Sequence, residues 1–402
     1  MESFKIAFRN LVRMGRRTFL TGSLIAIGVV FVVLYITYAQ SFKNSMIAQI
    51  TDSVMGELQI HKKGYVSSLD SLPLDKNLGP KIIKKIEEKL NSMPEIYSYS
   101  ERLKFGGMIS NFTDSTNIRL NGIDPEMEAK TLPLLKERLT GHLPRVGEIA
   151  IPELIAKGLH LKIGDVVVLV ATNKNGSMNA KTLKISGIVG IVSGPGGRDG
   201  YINLKDARKL LRIKKSEINE IVIKLKNPDM LQKAYKKLFK FVKENKKPKL
   251  EVHTWVKLSP FSNIVKMLNL MTFSIEIILI SIVLVSILNV MIMSVYERIK
   301  QIGTMKAMGT PKSFIVSMFV NEGMLLGIFG FVIGVVLSVV LVFVIGDIHY
   351  SFGRQSNLVL VPVIDLRSVV SVGVMVILIS MLASLYPAVK AANLKPIDAL
   401  RS

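Results

Sequence analysis

The sequence predicts a membrane protein of four transmembrane helices, with a large extracytoplasmic α+β domain inserted between the first and the second. Three observations predict it. Four apolar runs are each long enough to cross a bilayer, since ~20 helical residues span ~30 Å of hydrocarbon. Mean hydropathy is +0.38 with 49% hydrophobic residues over 402 positions, which indicates a membrane protein with a substantial polar part. Finally, lysine and arginine are concentrated in the short segments that flank alternate runs, and short loops with that excess stay on the cytoplasmic side.

Residues 1–18 carry Lys5, Arg9, Arg13, Arg16 and Arg17 against Glu2 alone, so the N-terminus is placed inside. Phe4, Ile6, Ala7, Phe8, Leu11 and Val12 add an apolar side, which predicts an interfacial helix under the membrane. Residues 19–40 form the first span. A cleaved signal peptide is the competing reading, helped by a poor small-residue site near Ala39, but the apolar core exceeds the ~7–15 residues of a signal core.

Residues 41–269 form the exterior domain, with helical patterning from Ser41 towards Val54 and back from Leu270 towards Pro260 as two stalk ends. Within it, Gly56–Tyr65 reads as a strand, Pro80–Met93 as a basic amphipathic helix, and Glu95–Ser110 as a strand pair. Ile118–Gly122, followed by Asp124-Pro125, opens an inserted module with its core at Gly147–Leu159, and Asn175-Gly176 marks a hairpin turn. Strands near Tyr201, Ile218 and Leu250 alternate with helices near Asp206 and Met230. Residues 270–296 are the second span, 297–312 a cytoplasmic helix, 314–346 the third span, 347–367 an exterior loop, 368–387 the fourth span ended by Pro387, and 388–402 a cytoplasmic tail. Both termini therefore lie inside.

The formal charge of +23 is concentrated in the exterior domain, where Ser41–Asn269 holds about 39 basic and 23 acidic residues. A domain outside the cytoplasm does not meet nucleic acid, so lysine-rich codon usage, or attraction to anionic lipid headgroups, is the simpler account of that charge. With no cysteine there is no disulfide framework and no thiol chemistry.

The chain is organised around Glu297–Lys312. Arg298, Lys300, Lys306 and Lys312 stand there against Glu297, while Ile299, Ile302, Met305 and Met308 recur at three-residue steps. Gly309 stops this short helix, and Pro311 prevents direct continuation into the next span. One greasy face and one cationic face, held at both ends, make a docking surface for something cytosolic.

The segment Met293–Gly334 resembles the signature of the FtsX/MacB/LolCE family of ABC transporter permeases. Glu297-Arg298, Ile302-Gly303, Lys306-Ala307-Met308-Gly309, Glu322 and the glycines after it carry the resemblance. So do the looser segments from Asn121 to Glu128, Leu139 to Asp165, Lys184 to Gly190 and Ile202 to Leu211, and the tail from Tyr386 to Arg401. The resemblance implies that Glu297, Arg298, Ile302, Gly303, Lys306, Ala307, Met308 and Gly309 couple to a separate cytoplasmic ABC ATPase dimer, which would hold ATP and Mg. It further implies a second permease copy or paralogue, and in lipoprotein-releasing members a periplasmic carrier engaged by an exterior loop. Gly194, Gly197, Arg198 and Asp199 are the candidate for that loop. Chain length and the lack of an ATPase domain make LolC/LolE-type lipoprotein release from the inner membrane the leading reading. Export of peptide, lipid or drug by a MacB-like complex is one alternative. FtsX-like activation of cell-wall hydrolases is another, and a passive scaffold is argued against by Glu297–Gly309.

Catalytic signatures are absent from the sequence. There is no G-x-x-x-x-G-K-[ST] phosphate loop; Gly194–Gly200 is glycine-rich but lacks the lysine and following hydroxyl. His61, His142, His160, His253 and His349 show no metal-ligand spacing, and no G-x-S-x-G elbow occurs. The chain is therefore expected to be a transport subunit, not an enzyme, with no cofactor or metal of its own.

Glu322 is an acid near the start of the third span, where ionisable groups are costly. It either holds the basic helix through Arg298 or Lys306, or caps the interface. Glu276, at the outer end of the second span, is either solvated at the interface or lines a laterally open cavity. Gly323, Gly327, Gly330 and Gly334 recur at three- and four-residue steps and predict close helix packing, within the chain or with a partner permease. Lys233, Lys236, Lys237, Lys240 and Lys243 form a basic helix face, read as solvated rather than bound to headgroups.

Overall fold

In the computed structural model, the described residues are 2–13, 15–190, 199–213, 215–244, 248–259, 262–352 and 356–394. Gly194, Gly197 and Arg198 of the candidate carrier loop, and the tail beyond residue 394, lie outside them. The chain divides into two compact units, one made chiefly of long helices and the other, Ser45–Asn263 with a short piece of residues 351–358, of mixed sheet and helices.

The first unit starts with α1 (Glu2–Arg13) and α2 (Gly15–Ile50), whose end from Ser45 on belongs to the second unit. Ala7 and Leu11 of α1 turn inward, whereas Phe4, Phe8 and Val12 stay exposed, which is the division expected of a helix with one side on protein and one on lipid.

The second unit follows with β1 (Leu58–Lys62), α3 (Pro80–Asn91), β2 (Ile96–Ser110), β3 (Ser115–Ile123), α4 (Pro125–Thr131), α5 (Pro133–Glu137) and β4 (Leu139–Gly141). Next come β5 (Glu148–Pro152), α6 (Glu153–Gly158), β6 (Val166–Thr172), β7 (Met178–Val189), β8 (Asp199–Asn203) and α7 (Leu204–Leu210). It closes with β9 (Glu220–Leu225), α8 (Leu231–Glu244), β10 (Leu250–Thr254) and α9 (Trp255–Leu258). Among the described residues its strands form one ten-stranded sheet in the order β10-β1-β9-β2-β3-β8-β5-β7-β4, with β6 pairing β2 and β7. Among the described residues, only β3–β8 and β5–β7 pair in parallel.

Periodicity explains why the amphipathic helices dock on this sheet. In α3, Ile82, Ile83, Ile86 and Leu90 are buried at three- and four-residue steps, and in α8 Ala234, Leu238 and Val242 are buried at four-residue steps. Both helices add to one core with Leu58, Ile60, Leu103, Phe105 and Ile223. Each such large apolar side chain contributes ~1.5–3 kcal/mol by leaving water.

Glu95–Ser110 was expected to be two strands and is one. The central Gly106-Gly107 does not turn; instead a Cβ on Gly107 would lie 2.8 Å from Val170 O, so glycine there lets β6 approach β2.

The chain continues with α10 (Ser262–Glu297), α11 (Ile299–Ala307) and α12 (Lys312–Ile345), then β11 (Ile348–Phe352) and β12 (Ser356–Leu360), whose parts within 351–358 belong to the second unit, and returns to the first with α13 (Leu366–Ala392). Four helices (α2, α10, α12 and α13) are long and apolar enough to cross a membrane. The last does not stop at Pro387, as expected, but runs through it to Ala392. Proline removes one amide donor, and the loss is tolerated in an apolar helix packed against neighbours, where Pro387 and Ala388 are both buried.

The glycines of α12 set its distance from two neighbours. A Cβ on Gly323 would lie 2.6 Å from Ser384, and one on Gly327 would collide with Ser380, both on α13. On Gly330 and Gly334 it would lie 2.6 Å from Ile25 and 2.7 Å from Val29, both on α2. All four glycines pack within the chain, so the stripe is used on one side by α13 and further along by α2.

Candidate functional site

The basic stretch between α10 and α12 folds as its residue types dictate. After Glu297 the chain leaves the helix at Arg298 (φ −112°, ψ 13°) and re-enters it as α11. The end of α11 closes with Gly309 N–H donating to Lys306 O (3.0 Å) and Thr310 N–H to Met305 O (3.1 Å). Gly309 has φ +90°, the left-handed conformation that glycine adopts at no steric cost. Pro311 then starts α12 from an extended conformation.

Two sets of polar contacts fix α11. Arg298 and Glu322 lie in the helical interior, with Nη1 donating to Oε2 at 3.4 Å and Nη2 to Oε1 at 3.3 Å. Both side chains are buried, where a charge is tolerated when it is paired. Lys306, the second partner considered for Glu322, goes elsewhere. Its Nζ donates to Ala392 O at 2.8 Å and to Leu394 O, satisfying carbonyls at the end of α13 that no helical amide can reach. Lys312 adds a contact to Asn393 Oδ1 at 3.1 Å.

The apolar stripe of α11 divides. Ile302 is fully buried beside Gly303, Met305 packs against the same core, and Met308 is 74% exposed at the far end. Ala307 and Gly309 are exposed with it. A helix anchored at its buried side thus presents Ala307, Met308 and Gly309, and the exposed acid Glu297 at the other end, to whatever lies outside the chain.

Glu276 is half-buried and lines a cavity of about 150 Å³ between α2 and α10, with Gln40, Lys43, Asn269, Thr272 and Phe273. Lys43 Nζ reaches Asn269 Oδ1 at 3.4 Å across it.

Asp199, the described member of the candidate carrier loop, begins β8 and pairs with Arg119 on β3 (Oδ1–Nε 3.0 Å) in register. Burial pushes its carboxyl up, against the pull of Lys104, Arg119 and Arg102. It belongs to a charged cluster that the sequence reading missed. Asp199, Arg119, Lys104, Glu220, His61 and Asn121 line a cavity of about 110 Å³ in the second unit. The signal was faint: Arg102 and Glu220 sit in strands, where a charge is buried only when paired, but β2 also carries Glu101 and Lys104 beside Arg102. Arg102 and Glu220 are direct cross-strand partners between β2 and β9.

Among the described residues, no group of three His, Asp or Glu side chains is arranged to hold a metal.

Four long apolar helices, a mixed-sheet domain inserted after the first, and an anchored basic helix between the second and third define a polytopic membrane protein with a large extracytoplasmic α+β domain. Comparison with known families gives two consecutive matches: the MacB-like periplasmic core domain over residues 18–238, and the FtsX-like permease C-terminal region over residues 273–396. The chain belongs to the FtsX/MacB/LolCE family of ABC transporter permeases.

It is similar to the lipoprotein-releasing system transmembrane protein LolE of Haemophilus influenzae, 23% identical over 338 residues that cover 79% of this chain and 80% of that one. LolC of the same organism is 25% identical over 269 residues, 64% of this chain and 65% of that one. An uncharacterized ABC transporter permease of Methanocaldococcus jannaschii is 35% identical over 109 residues, 27% of each chain. The periplasmic region of MacB from Actinobacillus actinomycetemcomitans aligns with 49% of this chain and 87% of that one at 14% identity, with a TM-score of 0.34, too slight a likeness to compare folds.

Proposed function

We propose that this chain is the force-transmitting permease subunit of an inner-membrane ABC complex that releases lipoproteins from the outer leaflet to a periplasmic carrier. ATP and Mg bind in a separate cytoplasmic ATPase dimer, and a second permease, identical or paralogous, completes the membrane part. Both termini and α11 face the cytoplasm. The observation that carries the reading is the anchoring of α11 by Arg298–Glu322 and Lys306, with Met308 left exposed. A rigid helix with an unpartnered apolar end suits transmission of a push between subunits, which a flexible basic tether does not.

The cargo reading draws on the similarity to LolE and LolC and on the cleft holding Lys43 and Glu276. An acylated N-terminus presents apolar chains and a polar peptide end. The cleft offers Phe273 and Ile36 for the first, and Lys43, Asn269 and Glu276 for the second.

Mass spectrometry of the complex purified gently from native membranes tests both levels. Recovery of an ABC ATPase, a second permease and acylated proteins supports lipoprotein release. An ATPase with a wall hydrolase and no acylated protein would replace it with transmembrane signalling. Absence of any ATPase would overturn the whole reading.

A further inference from the structure

Within the sheet unit, the chain that follows α2 is held in an unusual way. After Ile50 the helix widens into a π-helical turn at Thr51–Met55, closed by Gly56 N–H donating to Thr51 O at 2.9 Å. Such turns are rare and concentrate at functional positions. Gly56 has φ +65°, and a Cβ there would lie 2.7 Å from Ile223 O, so the chain turns into β1 hard against β9.

Carbonyls at a helix end have no helical amide to bond. Here Arg102 Nη1 donates to Val54 O at 2.8 Å, and Gln59 Nε2 donates to Met55 O at 2.8 Å. Arg102 is itself immobilised. Its Nε and Nη2 donate to Glu128 Oε1 on α4 at 2.9 and 2.6 Å, and Nη1 reaches Glu220 Oε1 on β9 at 3.1 Å. Glu220 Oε2 meets Lys104 Nζ at 2.9 Å. A second clamp holds the same turn from the other side. Lys224 pairs with Asp52 and, at 2.9 Å, with Glu57, whose other oxygen accepts Leu225 N–H at 3.0 Å.

Arg102 is 1% exposed, and Glu128 and Glu220 are no more exposed than that. Buried ion pairs give little net stability compared with apolar packing, but they impose one geometry because each charge is tolerated only with its partners in place. A planar guanidinium with all three nitrogens engaged is well suited to hold a backbone carbonyl at a fixed position and direction. The cluster therefore spends burial on geometry at the one place where α2 becomes the domain.

We propose that Arg102, seconded by Lys224, is a positioning residue that makes the Thr51–Gly56 turn a rigid joint, so that displacement of α2 reaches the sheet instead of being lost by bending at Gly56. The inference rests on the force-transmitting reading above and locates where the force enters the domain.

The test uses the full complex. The chain has no cysteine, so an Asp52→Cys/Lys224→Cys pair can be joined specifically by a short bifunctional thiol reagent. Arg102→Met is placed in that background, and ATP hydrolysis, cargo release and amide hydrogen exchange are read before and after the reagent. Before it, exchange at 52–56 is expected to rise about tenfold while β3 and β5 stay protected, as local opening of one segment requires. ATP hydrolysis should persist and release should fall about tenfold, and the cross-link should restore release.

Unchanged exchange at 52–56 overturns the joint, and this arm stands whether or not the chain works with an ATPase. Normal release despite the exchange increase, or failure of the cross-link to restore it, also overturns it. So does loss of release on cross-linking with Arg102 intact, since that joint would have to flex. Should Arg102→Met expose the whole domain to exchange, Arg102→Lys, which keeps the charge but not the fork, replaces it with the same expected pattern.

Discussion

The guanidinium of Arg298 and the carboxylate of Glu322 face each other as two parallel contacts of 3.4 and 3.3 Å, joining the start of α11 to the second turn-pair of α12 across 24 residues of sequence. Removing one partner takes a charge–charge contact from a group that stays buried. Glu322→Ala is therefore expected to destabilise the helical unit by about 3–5 kcal/mol, seen as a lower midpoint of thermal unfolding in detergent. Arg298→Met/Glu322→Met should recover most of that loss, because an apolar pair of similar size removes both charges. If the double variant is no better than the single, the pair is not what holds the junction.

The glycines of α12 give a packing prediction. Gly330→Val must displace Ile25, and Gly323→Val must displace Ser384, so each is expected to cost about 1–3 kcal/mol from overpacking. Gly309→Ala, in open space but at φ +90°, should cost about 1 kcal/mol through the backbone alone. Equal and negligible shifts in all three would show that the close approaches are not retained in the membrane.

Acid should act on the sheet unit through Glu220. Burial alone would raise this carboxyl, but Lys104, His61 and Arg102 outweigh it and hold the group well below the usual carboxylate range. A depressed folded-state value contributes stability above the unfolded value of ~4.3, and that stability is lost as pH falls towards the folded one. Glu57 and Asp199, which burial raises, work in the opposite sense, so the comparison must be between variants. Glu220→Gln is expected to be less stable than the parent at pH 7 and to show a shallower decline below pH ~4. A parallel decline in the two proteins would remove Glu220 from the account.

The cleft between α2 and α10 predicts a separable defect. Glu276→Gln and Lys43→Gln should lower cargo release while leaving basal ATP hydrolysis of the complex unchanged, because both residues lie far along the helices from α11. Loss of both activities together would make them structural.

Much of the helical unit was legible in the sequence because its signals are local. Apolar runs, Gly309 and Pro311 each act on their own neighbourhood. The spacing of Gly323 to Gly334 announced close packing, but not that α13 would take the first pair and α2 the second. Pro387 misled because a lone proline reads as a stop unless its neighbours are known to pack against it. The stripe of Ile299, Ile302, Met305 and Met308 could not reveal its division either, since only tertiary contacts decide that Ile302 goes in and Met308 stays out. Most hidden was the Arg102 cluster. Its members come from β2, α4 and β9 and meet only when the sheet order β9-β2-β3 is formed.

The central claim is that the exposed end of α11 takes the push of an ATPase. Gly303 is buried, so a charge there would disturb packing as well as docking, and Met308 is the cleaner probe. The measurement is substrate-stimulated ATP hydrolysis by the reconstituted complex carrying Met308→Asp. The account predicts that the chain keeps its thermal midpoint, while stimulation falls at least about tenfold as an apolar contact is replaced by a charge that must be desolvated. Normal stimulated turnover in a folded Met308→Asp complex would contradict it.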